Sequence, residues 1–435
     1  MSDTPARIGK YPVLGQLGQG ATSRVYLCED PFSAQRVAIK VVQRDPGASD
    51  EQRRQVQSAF LNEAALVGRL RHPHIAAIHD AVNDADQSYL VMEFVDGGTL
   101  EKFCAVDALL PVERVVELAF MACLALGYAQ RQGVIHCDIK PANLLLTPQA
   151  QLKISDFGAA QYIAASHTYL TGVGSPLYMS PEQVEDKRLN HQTDIYSLGA
   201  VLYQLLTGRP PFLGSSRESL MYQILRLDPP PPSLHRPGLP PEVDRIVMRS
   251  IAKSREERYV EWRDFAAELE SLFGNLSLPD QDSSEAERFS VLRQLPLFQA
   301  FGDVEIWETL RIGIWHRLRA GATVIREGEV CESFYIVASG DVVVSRDGQA
   351  LDNLGEGQLF GDILYFEDSG APRSTTVTSA TPVVFIEIKA EALRRSSAAC
   401  QVQFNQAMLR MLVKRVERIQ QRAAPGAHAR MIAAE

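Results

Sequence analysis

Between Asn275 and Ser290 the chain reads NLSLPDQDSSEAERFS, a polar and acidic run that carries too little apolar surface to continue a core. It is read as a linker, and the 435 residues around it exceed what one ordinary hydrophobic core accommodates. The two sides are also patterned differently. From about Tyr11 to Val95, the runs VYLCE, VAIKVV and SYLVMEFV are rich in β-branched and aromatic residues and predict strands. Between them, QVQSAFLNEAALVGRL places Val56, Ala59, Phe60, Ala64, Val67 and Leu70 near helical spacing. From about Thr99 to Phe273 the pattern turns mostly helical, and VERVVELAFMACLALGYAQRQG and DIYSLGAVLYQLLTG each end at a glycine suited to a left-handed cap. The segment DPPPPSLHRPGLPP holds too much proline for a helix or a central strand and predicts a surface connection.

Beyond the linker, Gly321 to Lys389 predicts short strands separated by turns at Gly328, Gly340, Gly348, Gly355 and Gly357, an all-β, jelly-roll-like domain. A last helix, about Ala399 to Gln421, carries Phe404, Met408, Met411, Leu412, Val416 and Ile419 on one face and Arg410, Lys414, Arg415, Arg418 and Arg422 opposite. Such a helix lies on a membrane surface, or packs on its own barrel or on a partner subunit; the packing readings are favoured, and a homodimer stays open. No apolar run approaches the roughly 20 residues needed to span a bilayer. The start, MSDTPARIGK, lacks a basic-then-apolar secretion pattern, so a cytoplasmic protein is expected. The cysteines at 28, 104, 123, 137, 331 and 400 form no CxxC pair and read as reduced thiols. A net charge of −9 argues against wholesale nucleic-acid binding.

Chemistry-bearing residues fall in one order. Leu17-Gly18-Gln19-Gly20-Ala21-Thr22-Ser23-Arg24-Val25 lies between two predicted strands, where glycines let main-chain amides approach phosphate oxygens. Alone it is also what an ordinary hairpin turn looks like. Val37-Ala38-Ile39-Lys40 then puts a lysine on a strand, suited to hold α- and β-phosphates if Glu63 on the predicted helix pins it. Taken singly, both residues are ordinary surface charges. His136-Cys137-Asp138-Ile139-Lys140-Pro141-Ala142-Asn143, followed by Asp156-Phe157-Gly158, decides the matter. Asp138 can accept a hydroxyl proton and Lys140 can steady a γ-phosphate, while Asn143 and Asp156 offer oxygen ligands to Mg²⁺, a hard ion.

With these segments in this order, residues 8 to 274 resemble the eukaryotic-type protein kinases, and the lysine two positions after Asp138 is similar to the serine/threonine kinases. The resemblance implies a bilobal fold, N-lobe 8–95 and C-lobe 96–274, acting on ATP, Mg²⁺ and a protein substrate. It further implies that Met92 gates the adenine pocket and that the backbones at Glu93 and Val95 bind the base. Ser180-Pro181-Glu182 stands for the family's APE motif, and Arg258 sits where the partner of Glu182 is found. Ser23 replaces the third loop glycine, Ser175 the threonine of a GT dipeptide, and Cys137 the arginine of HRD. That arginine docks a phosphorylated activation loop in the family, so Thr171 and Thr168 are phosphosite candidates on which activity need not depend. For Cys137 itself, packing is favoured over a redox role.

In the second domain, Ile325-Arg-Glu-Gly-Glu, Phe334-Tyr-Ile-Val-Ala-Ser-Gly-Asp and Leu-Pro-Leu-Phe at 295–298 resemble the cyclic nucleotide-binding domain, placed at 291–398 with a helix at 399–422. Phe360-Gly361-Asp362 and Pro372-Arg373-Ser374-Thr375 stand where that family carries its phosphate cassette. The resemblance implies that Arg373 takes the cyclic phosphate of cyclic AMP or cyclic GMP, that Asp362 accepts from the ribose, and that Ser374 and Thr375 lie near the base. Leu364 and Tyr365 are bulky for such a cassette, and a barrel that has lost its nucleotide and serves as a docking module is the other reading. The whole is expected to be α+β: a bilobal kinase fold followed by an all-β cyclic nucleotide-binding-like domain with flanking helices, the second regulating the first. A signalling scaffold that binds ATP but transfers nothing is the rival, and the presence of Lys40, Asp138, Asn143 and Asp156 together speaks against it.

Overall fold

The computed structural model describes residues 4–20, 23–42, 64, 68–83, 88–157, 161–162, 176–273, 284–330, 332–361 and 372–423, with 161–162 and 415–423 described by backbone alone. The chain forms two compact units, Met1–Phe273 and Gly274–Glu435. The helix expected over Gln55–Leu70 lies almost wholly outside the described residues.

In the first unit, β1 (Arg7–Ile8), β2 (Tyr11–Gln19), β3 (Ser23–Glu29), β4 (Arg36–Val42), β5 (Ile78–Asn83) and β6 (Ser88–Glu93) make an antiparallel sheet in the order β1-β2-β3-β4-β6-β5. Alternation decides its faces. Tyr26 and Cys28 of β3, Val37 and Ile39 of β4, and Tyr89 and Val91 of β6 bury together with Ile8 and Tyr11. The register sets Lys40 opposite Val25 on one side and Leu90 on the other. The helical part follows: α1 (Val112–Arg131), α2 (Pro181–Val184), α3 (Gln192–Thr207), α4 (Arg217–Arg226), α5 (Pro241–Ser250) and α6 (Trp262–Glu270). α1 and α3 are apolar on most sides and buried accordingly. Each stops at a glycine of positive φ, Gly133 at 78° and Gly208 at 73°. Between α1 and α2 run short strands: β7 (Val134–Ile135) pairs with β10 (Gln161–Tyr162), and β8 (Leu144–Leu146) with β9 (Leu152–Ile154). The proline-rich connection is stitched down, with Tyr203 donating to the Pro230 carbonyl at 2.8 Å and Arg236 to those of Leu110 and Leu206.

One buried ion pair closes this unit. Arg258, fully buried, donates from both Nη atoms to Glu182 at 2.8 and 2.9 Å, and also to main-chain carbonyls of Gln192, Ala252 and Lys253. Thr193 adds a hydroxyl donor to Glu182 at 2.9 Å. Burial opposes ionisation of Glu182, but the bonds and charge of Arg258 outweigh it and hold the carboxyl below its ordinary 4.5. Glu182→Gln leaves the guanidinium charge buried without its counterion, and should cost about 3–5 kcal/mol of unfolding free energy at neutral pH. A depressed folded-state acid contributes stability above its ordinary value, and that contribution is lost as pH falls through the folded value. Denaturant melts of both proteins at neutral pH and well below 4.5 should therefore show a shrinking difference; a gap undiminished by acid would contradict this account.

The second unit opens with α7 (Glu285–Gln294), which starts inside the stretch read as linker. Ser284 and Glu287 form a reciprocal capping box, and Ala286, Phe289, Ser290 and Leu292 are buried. The charged residues there mark a helix start. α8 (Asp303–Ile312) follows, with Trp307 stacked on Phe289. Then come β11 (Gly313–Leu318), β12 (Thr323–Ile325), β13 (Ser333–Ser339), β14 (Val342–Arg346), β15 (Gln349–Leu354), β16 (Leu359–Phe360), β17 (Thr376–Ser379) and β18 (Val383–Lys389). They form two four-stranded sheets, β11-β18-β13-β16 and β12-β17-β14-β15. Both contribute to one core that includes Ile325, Tyr335, Val337, Val342, Phe360, Val377 and Phe385. Strand β11 begins ahead of the Gly321 boundary read from the glycine turns. α9 (Ala390–Arg394) and α10 (Ala398–Ala423) end the unit. Phe404 of α10 meets Phe298, Phe301 and Phe334, so the first half of its apolar stripe packs on its own unit. Among the described residues, no helix is long and apolar enough to cross a membrane.

Candidate functional site

The loop between β7 and β8 carries His136 to Asn143. Asp194, in the first turn of α3, accepts the main-chain N–H groups of His136 at 2.7 Å and Cys137 at 2.8 Å. Cys137 holds φ at 65°, a region costly for a residue with a Cβ, so these bonds must sustain it. His136 Nδ1 accepts from the Asp138 N–H at 3.2 Å, which leaves Nε2 to donate to the Ser155 carbonyl at 3.1 Å. Its ring lies 4.3 Å from that of buried Phe157. The loop and the Asp156 segment are therefore fastened through one histidine.

Asp138 gathers the loop's other groups. Lys140 Nζ reaches its Oδ2 at 2.7 Å, and Asn143 Nδ2 donates to its main-chain carbonyl at 2.8 Å and to Oδ2 at 3.2 Å. Asp156, at φ 61°, pairs with Lys40 at 2.5 Å. Burial pushes the Asp156 carboxyl up, but the charge and hydrogen bond of Lys40, with Lys140 beyond, hold it below its ordinary value. Lys40, Asp138, Lys140, Asn143 and Asp156 are thus brought into one site. Glu63 and Gly158 lie outside the described residues.

Asn143 and Asp156 carry side-chain oxygens of the kind a hard ion such as Mg²⁺ takes. Among the described residues no group of three His, Cys, Asp or Glu assembles. A hard ion held by one or two side chains and substrate phosphates requires none, so the donor set fits. On the sheet side, Gly18 pairs across the hairpin with Val25, and the Gly20 N–H donates to the Ser23 carbonyl at 2.8 Å. A Cβ at Gly18 would meet nothing within 4 Å, which leaves that edge open, while Leu17 is half exposed beside it. Met92 and Val95 are partly buried in the connection between the sheet and the helices. The Glu93 carboxylate takes Lys153 at 2.8 Å and the Ala77 N–H at 3.2 Å, bracing that connection. Gly97 is required by close approach: a Cβ there would stand 2.1 Å from the Leu146 carbonyl oxygen.

Cys137 buries its thiol against Ile135, with Leu189 packed beside them, so an apolar cluster occupies the position of the missing arginine. Burial, aided by Asp194 and Asp138, pushes the thiol well above its ordinary value, which disfavours the thiolate that redox chemistry needs. Thr168, Thr171 and Ser175 lie outside the described residues.

In the second unit, Arg373 is buried and donates to the main-chain carbonyls of Gly361, at 2.8 Å, and Ser333. Gly361 sits at φ 72°, and a Cβ there would come within 2.7 Å of Arg373 Nη1. The Nε of Arg373 is buried without a hydrogen-bond partner among the described residues, an unused donor of the kind an anion would satisfy. In this respect the residues fit a cyclic phosphate. Ser374 is exposed and its carbonyl takes Arg346; Thr375 is partly buried. Asp362, Leu364 and Tyr365 lie outside the described residues.

The sequence reading passed over the residues that hold these groups in place. Gln183 donates to the Cys137 carbonyl across 46 positions, and Lys153 pairs with Glu93 across 60, with no local signal for either. Residues 11–259 match the family model of the protein kinase domain, and residues 315–398 that of the cyclic nucleotide-binding domain. The serine/threonine-protein kinase PknB of Mycobacterium leprae is 36% identical over 281 residues, 62% of this chain and 44% of that protein. PknB of Mycolicibacterium smegmatis is 35% identical over 312 residues, 68% of this chain and 48% of that protein. The serine/threonine-protein kinase PknL of Mycobacterium tuberculosis is 36% identical over 273 residues, 62% of this chain and 67% of that protein. The chain spans about half the length of the PknB relatives. With more than half of its residues in the matched segment 11–259, the chain belongs to the protein kinase family.

Proposed function

We propose that this chain is a serine/threonine protein kinase, transferring the γ-phosphoryl of Mg·ATP to a hydroxyl of a protein substrate, and that its second unit is a cyclic nucleotide-responsive regulatory domain. The convergence of Lys140 and Asn143 on Asp138 carries the reading. Asp138 orients the acceptor hydroxyl and takes its proton as the new P–O bond forms and the bond to ADP breaks. Lys140, already bonded to Asp138, steadies charge as it develops on the transferred group. Lys40 is released from Asp156 to hold the α- and β-phosphates, and Asn143 and Asp156 would hold the metal, which would supply positive charge against the phosphates. The connection at Met92, Glu93 and Val95 takes the adenine. The names of the relatives support serine or threonine as the acceptor.

The first test is Asp138→Asn. It should lower turnover by roughly 10²–10⁴-fold, as loss of a positioned base does. ATP affinity, measured by equilibrium titration, should stay close to wild type because Lys40 and the glycine hairpin are untouched. Near wild-type turnover would remove Asp138 from the reaction.

The apolar cluster of Ile135, Cys137 and Leu189 offers no cation to a phosphorylated loop. Mass spectrometry should find autophosphorylation at Thr171 or Thr168, and the double alanine variant should retain most of its activity. A loss beyond about tenfold, ~1.4 kcal/mol, would mean that another cation serves the loop.

For the second unit, calorimetry with cyclic AMP and cyclic GMP on the full chain should detect binding that Arg373→Lys largely abolishes, since lysine keeps charge but not the planar fork. The kinase rate with and without saturating nucleotide then measures coupling, typically about 5–150-fold. Binding of neither at millimolar concentration would make the barrel a docking module.

A further inference from the structure

The peptide group between Cys137 and Asp138 is gripped at both ends. Its N–H donates to His136 Nδ1 at 3.2 Å, and its carbonyl accepts from Gln183 Nε2 at 2.8 Å. Gln183 is itself fixed, because its Oε1 accepts from the Ser180 N–H at 3.0 Å, which also settles which end of the amide is which. Cys137 lies in the left-handed region at 65°, which is costly for a residue with a Cβ and has to be sustained by bonds on either side of it. Asp194 holds the preceding peptide, through the Cys137 N–H at 2.8 Å, but leaves the plane after Cys137 free to turn. A turn there would re-aim the Asp138 carboxylate.

We infer that Gln183 is a positioning residue for phosphoryl transfer: its side-chain amide locks the Cys137–Asp138 peptide and thereby aims Asp138. The inference rests on the kinase reading above. Gln183 stands at the third position of α2, directly after the Glu182 that anchors to Arg258. The anchor that ends the segment beginning at Asp156 is therefore tied to the residue before the base.

Two substitutions separate this role from the plain support of α2. Glu at that position preserves the capping box but cannot donate to the Cys137 carbonyl; Leu loses both and carries no charge. Both variants should lose turnover by between about tenfold and a hundredfold, the scale of a misplaced reacting group. Their KM for ATP should move less than about twofold, and only Gln183→Leu should melt earlier. Amide hydrogen exchange across residues 136–143, which needs no activity, should quicken in both. Turnover within twofold of wild type in either variant, or losses that merely track the folded fraction, would overturn the assignment. An inactive wild type would sink the kinase reading instead, and unaltered exchange at Asp138 would then decide against the lock independently.

Discussion

One buried carboxylate carries the catalytic loop. Asp194 takes the main-chain N–H groups of His136 and Cys137, and it does so nearly without solvent. Burial pushes its carboxyl above the ordinary 3.8, even though those two donors favour the ionised form. Its ionisation therefore costs the folded state stability at neutral pH, a cost that would ease only as pH falls. What the carboxylate provides is a direction: two consecutive amides point at one group, Cys137 is held at positive φ, and everything downstream to Asn143 inherits that geometry.

The grouping of Lys40, Asp138, Lys140, Asn143 and Asp156 was legible because its members lie in short segments, where residue type and spacing carry the signal. What orders those segments was legible only in part. Arg258 was placed opposite Glu182, 76 positions away, by the resemblance alone, while nothing announced that Asp194 meets His136 across 58 positions. The helices capped at Gly133 and Gly208 were readable because a left-handed glycine is a local signal. The start of α7 should have been readable too. Ser284-Glu285-Ala286-Glu287 is a capping-box sequence, and its acidic character was taken for solvation when it marked a helix start. Strand β11 was missed for the opposite reason. It lies ahead of the first glycine turn, and its half-exposed residues alternate only weakly.

Arg373 shows where a local motif and a packed structure describe the same residue differently. Read from sequence, it is a ligand for phosphate. In the fold it is also a buried strut, bonded to a carbonyl of β13 and to that of Gly361, just past β16. A guanidinium has five N–H donors in a rigid plane, so the two roles do not compete for the same hydrogens. Its unpartnered Nε is the remainder of that account. An anion satisfying Nε would complete a group already braced against two neighbouring strands, and would be felt by both.

The same logic runs through both units: each charged side chain proposed to meet a substrate or ligand is first fixed by strand register or by hydrogen bonds from its neighbours. Lys40 is oriented by strand register between Val25 and Leu90, Asp138 by the peptide that His136 and Gln183 grip, and Arg373 by two carbonyls. Main-chain donors and acceptors hold position with no rotamers of their own to freeze, whereas a long side chain loses up to about 2 kcal/mol of entropy when it is ordered. Ordering such a chain during folding, before any substrate arrives, moves that cost out of the reaction. The residues that fix geometry here, Asp194 and Gln183 among them, therefore stand far along the chain from the short motifs they hold.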